Sequence, residues 1–256
     1  GSEMCIRDRP GYVPPCGTAC PAGTDVQGYI ALAGAGRYED AYRLIRQSNP
    51  FPSVCGRICN HPCQAACNRN DLDESVGIRD IKRFVADKAF ENGMPVVEKK
   101  RKSNGKKIAV IGAGPSGLSC AYYLQLSGYS VEVFESESVA GGVLAYGIPE
   151  YRLPKAVLNR DIQAIEATGV QIHLNTTVGE DVSFDELYKK FHAVYVSTGT
   201  QLSRKANIPG EDMPGVYHGL DFLKAVNLGK PVEIGKKVAV LSLIHISEPT
   251  RHAQIS

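Results

Sequence analysis

Ile108-Ala109-Val110-Ile111-Gly112-Ala113-Gly114-Pro115-Ser116-Gly117 runs an apolar stretch directly into three glycines at G-x-G-x-x-G spacing. The spacing has a mechanical reading. Gly112 permits a tight turn out of a strand, Gly114 lets the backbone approach a pyrophosphate, and Gly117 lets the next helix pack closely on the strand. Pro115 suits a first helical turn. Leu118, Ala121 and Leu124 then repeat at helical spacing, and Gly128 can terminate the helix. An anion at that helix start meets free N–H groups and the positive end of the dipole. A second apolar run, Ser130–Phe134, ends at Glu135, eighteen residues after Gly117. A carboxylate at that point accepts hydrogen bonds from a ribose hydroxyl pair. These residues predict the opening of a Rossmann-type dinucleotide-binding domain.

Moving outward, the alternation continues. Strands are expected at Lys107–Ile111, Ser130–Phe134, Val170–Leu174 and His192–Ser197, and helices at Pro115–Leu126, Pro154–Thr168 and Phe184–Lys190. Strand–helix repetition of this kind implies a largely parallel sheet. Toward the N-terminus the pattern changes. Lys99-Lys100-Arg101-Lys102 with Lys106-Lys107 flanks Ser103-Asn104-Gly105 and reads as a solvated linker. Before it, Asp25 can cap a helix carrying Val26, Tyr29, Ile30 and Ala33. A second helix is expected over Arg37–Gln47, and a third carries Ile78, Ile81, Phe84 and Val85. No strand is expected here, so this region reads as a small helical domain.

Six cysteines fall in that helical region. Cys16 and Cys20 are spaced C-x3-C, and Cys55, Cys59, Cys63 and Cys67 repeat the same spacing. No signal peptide is visible, so a reducing cytoplasm is the expected compartment, where disulfides are disfavoured. Thiolate arrays there suit zinc or iron–sulfur clusters, although zinc favours C-x2-C knuckles and none occurs. A purely structural set of buried cysteines is the third reading. Asn60-His61-Pro62 would break a continuous helix, so a tight loop is expected between the pairs. His61 reads as a surface or capping residue and Cys120 as a core residue of the glycine-turn helix. The chain of 256 residues has 29 basic and 27 acidic side chains, with no concentrated basic footprint for nucleic acid. No run approaches the ~18 apolar residues of a membrane span.

Ala140-Gly141-Gly142 begins five residues after Glu135, and Gly142-Val143-Leu144-Ala145-Tyr146-Gly147-Ile148-Pro149-Glu150-Tyr151-Arg152-Leu153-Pro154 follows through. Here the chain resembles the two-dinucleotide-domain flavoproteins, and more narrowly the small (beta) subunit of glutamate synthase. Related families are the flavin region of dihydropyrimidine dehydrogenase and NADH-dependent ferredoxin:NADP oxidoreductases. The resemblance implies that Gly112, Ala113, Gly114, Pro115, Ser116, Glu135, Gly142, Val143 and Arg152 contact FAD. Gly117 and Gly141 complete the two glycine segments, and Val178 would act through its backbone. Thr198-Gly199 matches an "A-T-G" turn beside the cofactor, with Ser197 in place of the alanine.

Cys55-Gly56-Arg57-Ile58-Cys59 and Cys63-Gln64-Ala65-Ala66-Cys67 resemble the helical 4Fe–4S domain that precedes the flavin domain in that family. The resemblance places Cys20, Cys59 and Cys63 on one cluster and Cys16 and Cys67 on another, with Cys55 as a substitute ligand. Two clusters need about eight ligands, so at least one 4Fe–4S cluster is expected, and the second stays open. A non-cysteine fourth ligand in relatives falls near Lys82-Arg83, neither of which suits iron.

The implied organisation is a small all-α helical ferredoxin-like iron–sulfur domain at 10–98, a linker at 99–106 and an incomplete α/β Rossmann-type FAD-binding domain at 107–235. Lys236–Val240 reads as the opening strand of an NAD(P)H-binding domain. Residues 1–9, including Cys5, and 241–256 read as non-native, in the manner of translated adapter sequence, because the family's second glycine turn is replaced after Val240. The implied parent takes electrons from NAD(P)H through FAD and iron–sulfur chemistry to a large catalytic subunit or ferredoxin-type acceptor. No side chain is expected to act as acid, base or nucleophile. The alternatives are an electron-transfer module that never binds nicotinamide, and an inactive truncated fragment. A thioredoxin-reductase-like disulfide enzyme would need a C-x2-C pair, which is absent.

Overall fold

The computed structural model describes residues 13–93, 100–203, 205 and 207–241. The leader at 1–9 with Cys5, residue 99 of the linker, and the tail beyond residue 241 lie outside the described residues.

Every element among the described residues from 13 to 93 is helical. These are α1 (Pro15–Thr18), α2 (Val26–Gly34), α3 (Tyr38–Arg46), α4 (Pro52–Ile58), α5 (Pro62–Ala65), a 3-10 turn at Asn68–Asp71, and α6 (Ile78–Glu91). Asp25 caps α2 by accepting the Gly28 N–H at 2.9 Å. The periodicity of α2, α3 and α6 is long enough to read from sequence. The shorter α1, α4 and α5 each start on a proline at the first turn, where its missing N–H costs nothing. The break expected at Asn60-His61-Pro62 is present: His61 takes a left-handed φ of 46° between α4 and α5. The core of this region packs Val26, Tyr29, Ala41, Tyr42, Ile45, Ile78 and Val85 around buried Cys16 and Cys63.

From residue 107 the chain forms β1 (Lys107–Ile111), α7 (Pro115–Leu126), β2 (Ser130–Phe134), α8 (Val143–Tyr146), α9 (Lys155–Glu166), β3 (Gln171–His173), α10 (Phe184–Lys190), β4 (Ala193–Val196) and α11 (Gly219–Asn227). The sheet is parallel in the order β3-β2-β1-β4, with Ile108 opposite Val131 and Ala193. Ile108, Val110, Val131 and Val133 face α7 and α9, while Ala109, Ile111 and Phe134 face Leu187 and Phe191 beneath α10. Both faces are covered, which is why β1 reads as a continuous apolar run. The expected strand at Lys236–Val240 is a correction: these residues are exposed and pair with no strand among the described residues. Apolar alternation makes a strand only where a neighbouring edge completes its hydrogen bonds.

The helical region and the sheet share buried contacts. Phe51 and Val54 belong to the core on the α7/α9 face of the sheet. Arg46 is fully buried, donates to the Ala164 carbonyl at 3.3 Å, and lies 4.9 Å from the centre of the Tyr122 ring. Asp161 of α9 is fully buried and accepts the Val54 N–H at 3.0 Å. Burial pushes the Asp161 carboxyl up to about 7, against the opposing pull of the Val54 N–H, Ser53 and the Arg46 charge. Among the described residues, no helix is long and apolar enough to cross a membrane.

Candidate dinucleotide cleft and thiol cluster

The chain adds β2 and β3 on one side of β1 and then crosses to lay β4 on the other. In open α/β sheets that reversal leaves a crevice at the carboxyl ends of the strands. A cleft of about 230 Å³ lies there, lined by Gly112, Gly114 and Ser116 after β1, Glu135 after β2, and Thr198 after β4. Its volume is below the ~300–1,000 Å³ of pockets that bury a drug-sized ligand. As described, the cleft is therefore too small to enclose a dinucleotide-sized ligand.

The glycines separate by cause. Gly112 has φ +100°, and a Cβ there would stand 2.5 Å from the Ser197 carbonyl oxygen. A Cβ on Gly117 would stand 2.0 Å from the Gly112 oxygen, which is the close helix–strand packing expected of the third glycine. A Cβ on Gly142 would meet Gly114 Cα at 2.9 Å. Gly114 is different. Its φ is −76°, open to any residue, and a Cβ there would meet nothing within 4 Å. Apart from its use as the N-cap of α7, glycine at 114 is required by neither backbone conformation nor protein packing, and the space beside it lies open at the N-terminus of α7.

Most of the expected residues converge on this cleft: Gly112, Gly114, Pro115, Ser116, Glu135, Gly142, Val143, Val178, Thr198 and Gly199 line it. Ala113, Gly117 and Gly141 sit behind that surface. The Gly141 N–H donates to the Ala113 carbonyl at 2.8 Å, tying the second glycine segment to the first. Arg152 does not reach the cleft; it is exposed beyond α8. Glu135 is buried, and its carboxylate accepts the Ala113 N–H at 2.7 Å and the Glu137 N–H at 2.9 Å. It thus braces the glycine turn while keeping further lone pairs for ribose hydroxyls. Ser197, in the alanine position, donates its hydroxyl to the Ile111 carbonyl at 2.9 Å. Sequence reasoning did not single out Tyr146 or Gln201. The Tyr146 hydroxyl donates to Gln201 Oε1 at 2.8 Å on the cleft wall, and burial pushes the phenol up. Only folding brings these two positions together.

Cys16 and Cys63 pack with Tyr29 in one buried cluster. Burial, and then the charges of Cys63, Cys20, Cys16 and Cys59, push its phenol up. Burial also raises Cys63, partly offset by Lys82, and the Cys20 and Cys59 charges add to the rise. Burial opposes ionisation of Cys20, but bonds from Thr24 and Ala22 and the Lys82 charge bring it down on balance. The His61 N–H donates to Cys59 Sγ at 3.3 Å, and Arg79 holds the same loop by donating to the Cys59 carbonyl at 3.3 Å. Cys67 is buried one turn beyond Cys63. Cys55 points elsewhere: it packs against the sheet-domain core, its thiol donates to Asn49 Oδ1 at 3.7 Å, and burial raises it. Among the described residues no three His, Cys, Asp or Glu side chains converge on a single ion. A 4Fe–4S cube takes a thiolate at separate irons, so its ligands need not meet at one point. Thiols on neighbouring turns, Cys16 and Cys63 in one buried cluster and Cys59 already receiving an N–H···S bond, have the donor chemistry for such a group. Cys120 lies half-buried on α7, away from this set, and burial raises its thiol.

Residues 3–94 match the family described as dihydropyrimidine dehydrogenase domain II, 4Fe-4S cluster, and residues 110–176 match the NAD(P)-binding Rossmann-like domain. The chain is 42% identical over 236 residues to the NADPH-Fe(3+) oxidoreductase subunit beta of Geobacter sulfurreducens, covering 90% of this chain and 35% of that one. It is 42% identical over 257 residues to the NADP(+)-dependent formate dehydrogenase subunit beta of Moorella thermoacetica, covering 91% and 36%. It is 38% identical over 224 residues to the glutamate synthase [NADPH] small chain of Bacillus subtilis, covering 81% and 45%. The chain therefore spans between about a third and a half of the length of these relatives.

Proposed function

We propose that this chain, similar over most of its length to the glutamate synthase small chain and to related NADPH-dependent oxidoreductase beta subunits, is the iron–sulfur and FAD-holding part of an NAD(P)H-dependent oxidoreductase. Residues 10–98 would hold at least one 4Fe–4S cluster, residues 107–235 the FAD, and an NAD(P)H unit would begin at 236–240. FAD supplies the conversion of a two-electron hydride into single electrons, and iron–sulfur chemistry passes them one at a time to a large subunit or ferredoxin-type acceptor.

The observation that carries the reading is Gly114, which lines the cleft at the N-terminus of α7 and where a Cβ would meet no protein atom within 4 Å. In this reading the first turn of α7 holds the pyrophosphate on its free N–H groups. Glu135 orients the ribose while bracing the Ala113 N–H. The Gly141-Gly142 segment, bonded to Ala113, supports the turn from the side. Cys20, Cys59 and Cys63 would ligate one cluster, Cys16 and Cys67 would contribute to a second, and Cys55 would stand in as a ligand only if its thiol left Asn49. The exposed position of Arg152 weighs against a direct flavin contact in this arrangement. A module that holds FAD and a cluster without using nicotinamide is the second reading, and it shares the same cleft.

Anaerobic purification of the chain followed by iron, sulfide and flavin assay tests the proposal. About four irons and four sulfides or more per chain, together with flavin absorption bands, are expected. Absence of both overturns the reading. Flavin without iron confines it to the cleft.

A further inference from the structure

Lys82 lies in the middle of α6 with 8% of its surface exposed. A buried ammonium costs several kcal/mol unless an opposite charge meets it. The other cations of α6 meet carboxylates: Arg79 pairs with Asp80, Arg83 with Asp87 and Lys88 with Glu91. Lys82 has no carboxylate ion pair among the described residues. Its Nζ sits 5.7 Å from the centre of the Tyr29 ring, which packs with Cys16 and Cys63 in one buried cluster.

The approach is built into the packing. Gly56, between Cys55 and Cys59, faces Arg83 on α6, and a Cβ there would stand 2.8 Å from Arg83 Cα. The missing side chain lets α4 press against α6 at that point. This brings the helix that carries Cys55 and ends at Cys59 beside Lys82. Lys82 is buried as a residue, and charges in a buried setting are screened less than exposed ones.

We propose that Lys82 is the buried counter-charge of the iron–sulfur cluster that Cys20, Cys59 and Cys63 would hold, and that its ammonium raises the reduction potential of that cluster. The inference rests on the iron–sulfur reading above. Reduction adds one electron and one unit of negative charge to the thiolate-ligated cluster. No bond forms or breaks. A fixed positive charge nearby favours the more negative, reduced state, which is the sense of the shift. Lys82 acts through the thiolates and is a positioning and tuning residue, not an iron ligand.

The test is an EPR-monitored redox titration of the full chain, with dithionite as reductant, comparing the parent with Lys82→Met, Lys82→Gln and Lys82→Arg. Lys88→Met, on the exposed side of α6, is the control. Met and Gln at 82 are expected to retain iron and sulfide and to lower the reduced-to-oxidised ratio of one cluster about tenfold at fixed potential, which is 59 mV for one electron. Arg at 82 restores the parent value, and Lys88→Met leaves it unmoved. An intact cluster with unchanged potential in both neutral variants overturns the proposal. So does loss of the cluster in both with helical circular dichroism intact, which would make Lys82 an assembly residue. Absence of iron and sulfide in the parent overturns the iron–sulfur reading instead. Titrating two neutral variants keeps the result readable if one fails to fold.

Discussion

Replacing Gly114 with alanine separates a glycine kept for a ligand from one kept for the fold. At φ −76° and ψ 179° alanine is unstrained, and the added methyl meets no protein atom within 4 Å. Two small effects on stability oppose each other. Alanine reduces unfolded-state freedom, worth about 0.4–1 kcal/mol. It is also a poorer N-cap than glycine, costing on the order of 0.5–1 kcal/mol. Gly114→Ala should therefore shift the melting temperature by no more than about 2–4 °C for a chain of this size. The methyl enters the space at the helix N-terminus where a pyrophosphate would be held. Overpacking a close contact costs about 1–3 kcal/mol, so FAD affinity should fall roughly 5- to 150-fold at 1.4 kcal/mol per decade. Gly117→Ala is the contrast, because its methyl would lie 2.0 Å from the Gly112 carbonyl oxygen and must disturb the strand–helix packing itself. The assay is flavin fluorescence titration of the apo chain beside a thermal melt of each variant. Gly114→Ala that folds normally and binds FAD within twofold of the parent refutes the argument that this glycine makes room for a ligand.

Three further outcomes follow from named contacts. Burial pushes the folded Asp161 carboxyl up to about 7 from its ordinary 3.8, so between those values the native state binds more protons. Stability should then fall as pH rises from about 4 to 7 and level off above, with a slope approaching 1.4 kcal/mol per unit. Asp161→Asn removes that component, and urea melts at pH 5 and pH 8 that show the same slope in both proteins would exclude it. Glu135→Ala leaves the Ala113 and Glu137 N–H groups without their acceptor. At about 1–3 kcal/mol for each buried donor left unmet, denaturant melts should show a larger loss than for Glu135→Gln, which keeps one acceptor oxygen. Cys59→Ser and Cys63→Ser should each lower bound iron, while Cys120→Ser on α7 leaves it unchanged; equal iron in all three would remove the thiol cluster from consideration.

Some features were legible because their causes are local. The three glycines at 112, 114 and 117 lie within a single turn, and the strand before them is a continuous apolar run because both faces of a parallel sheet are buried. The heptad-scale stripes of α2, α3 and α6 and the proline break at Asn60-His61-Pro62 were equally readable. Lys236–Val240 misled for the complementary reason: its pattern suits a strand, but strand formation depends on a partner that the pattern does not contain. Arg152 was expected at the flavin from motif position alone, and the structure places it exposed beyond α8.

By itself, the order of residues determined that a dinucleotide turn and a C-x3-C thiol series exist, since each is a relation among neighbours a few positions apart. Tertiary structure decided what surrounds them. Arg46 and Ala164 lie 118 positions apart, and Val54 and Asp161 lie 107 apart. The Tyr146–Gln201 pair on the cleft wall and the approach of Lys82 to the thiols depend in the same way on how helices and sheet pack. Such contacts are set by long-range burial and by the need to match each buried charge and donor, so no local pattern announces them. Of the three turn glycines, the sequence treats all as alike. Packing separates the two that the fold requires from Gly114, which faces the space left for a ligand.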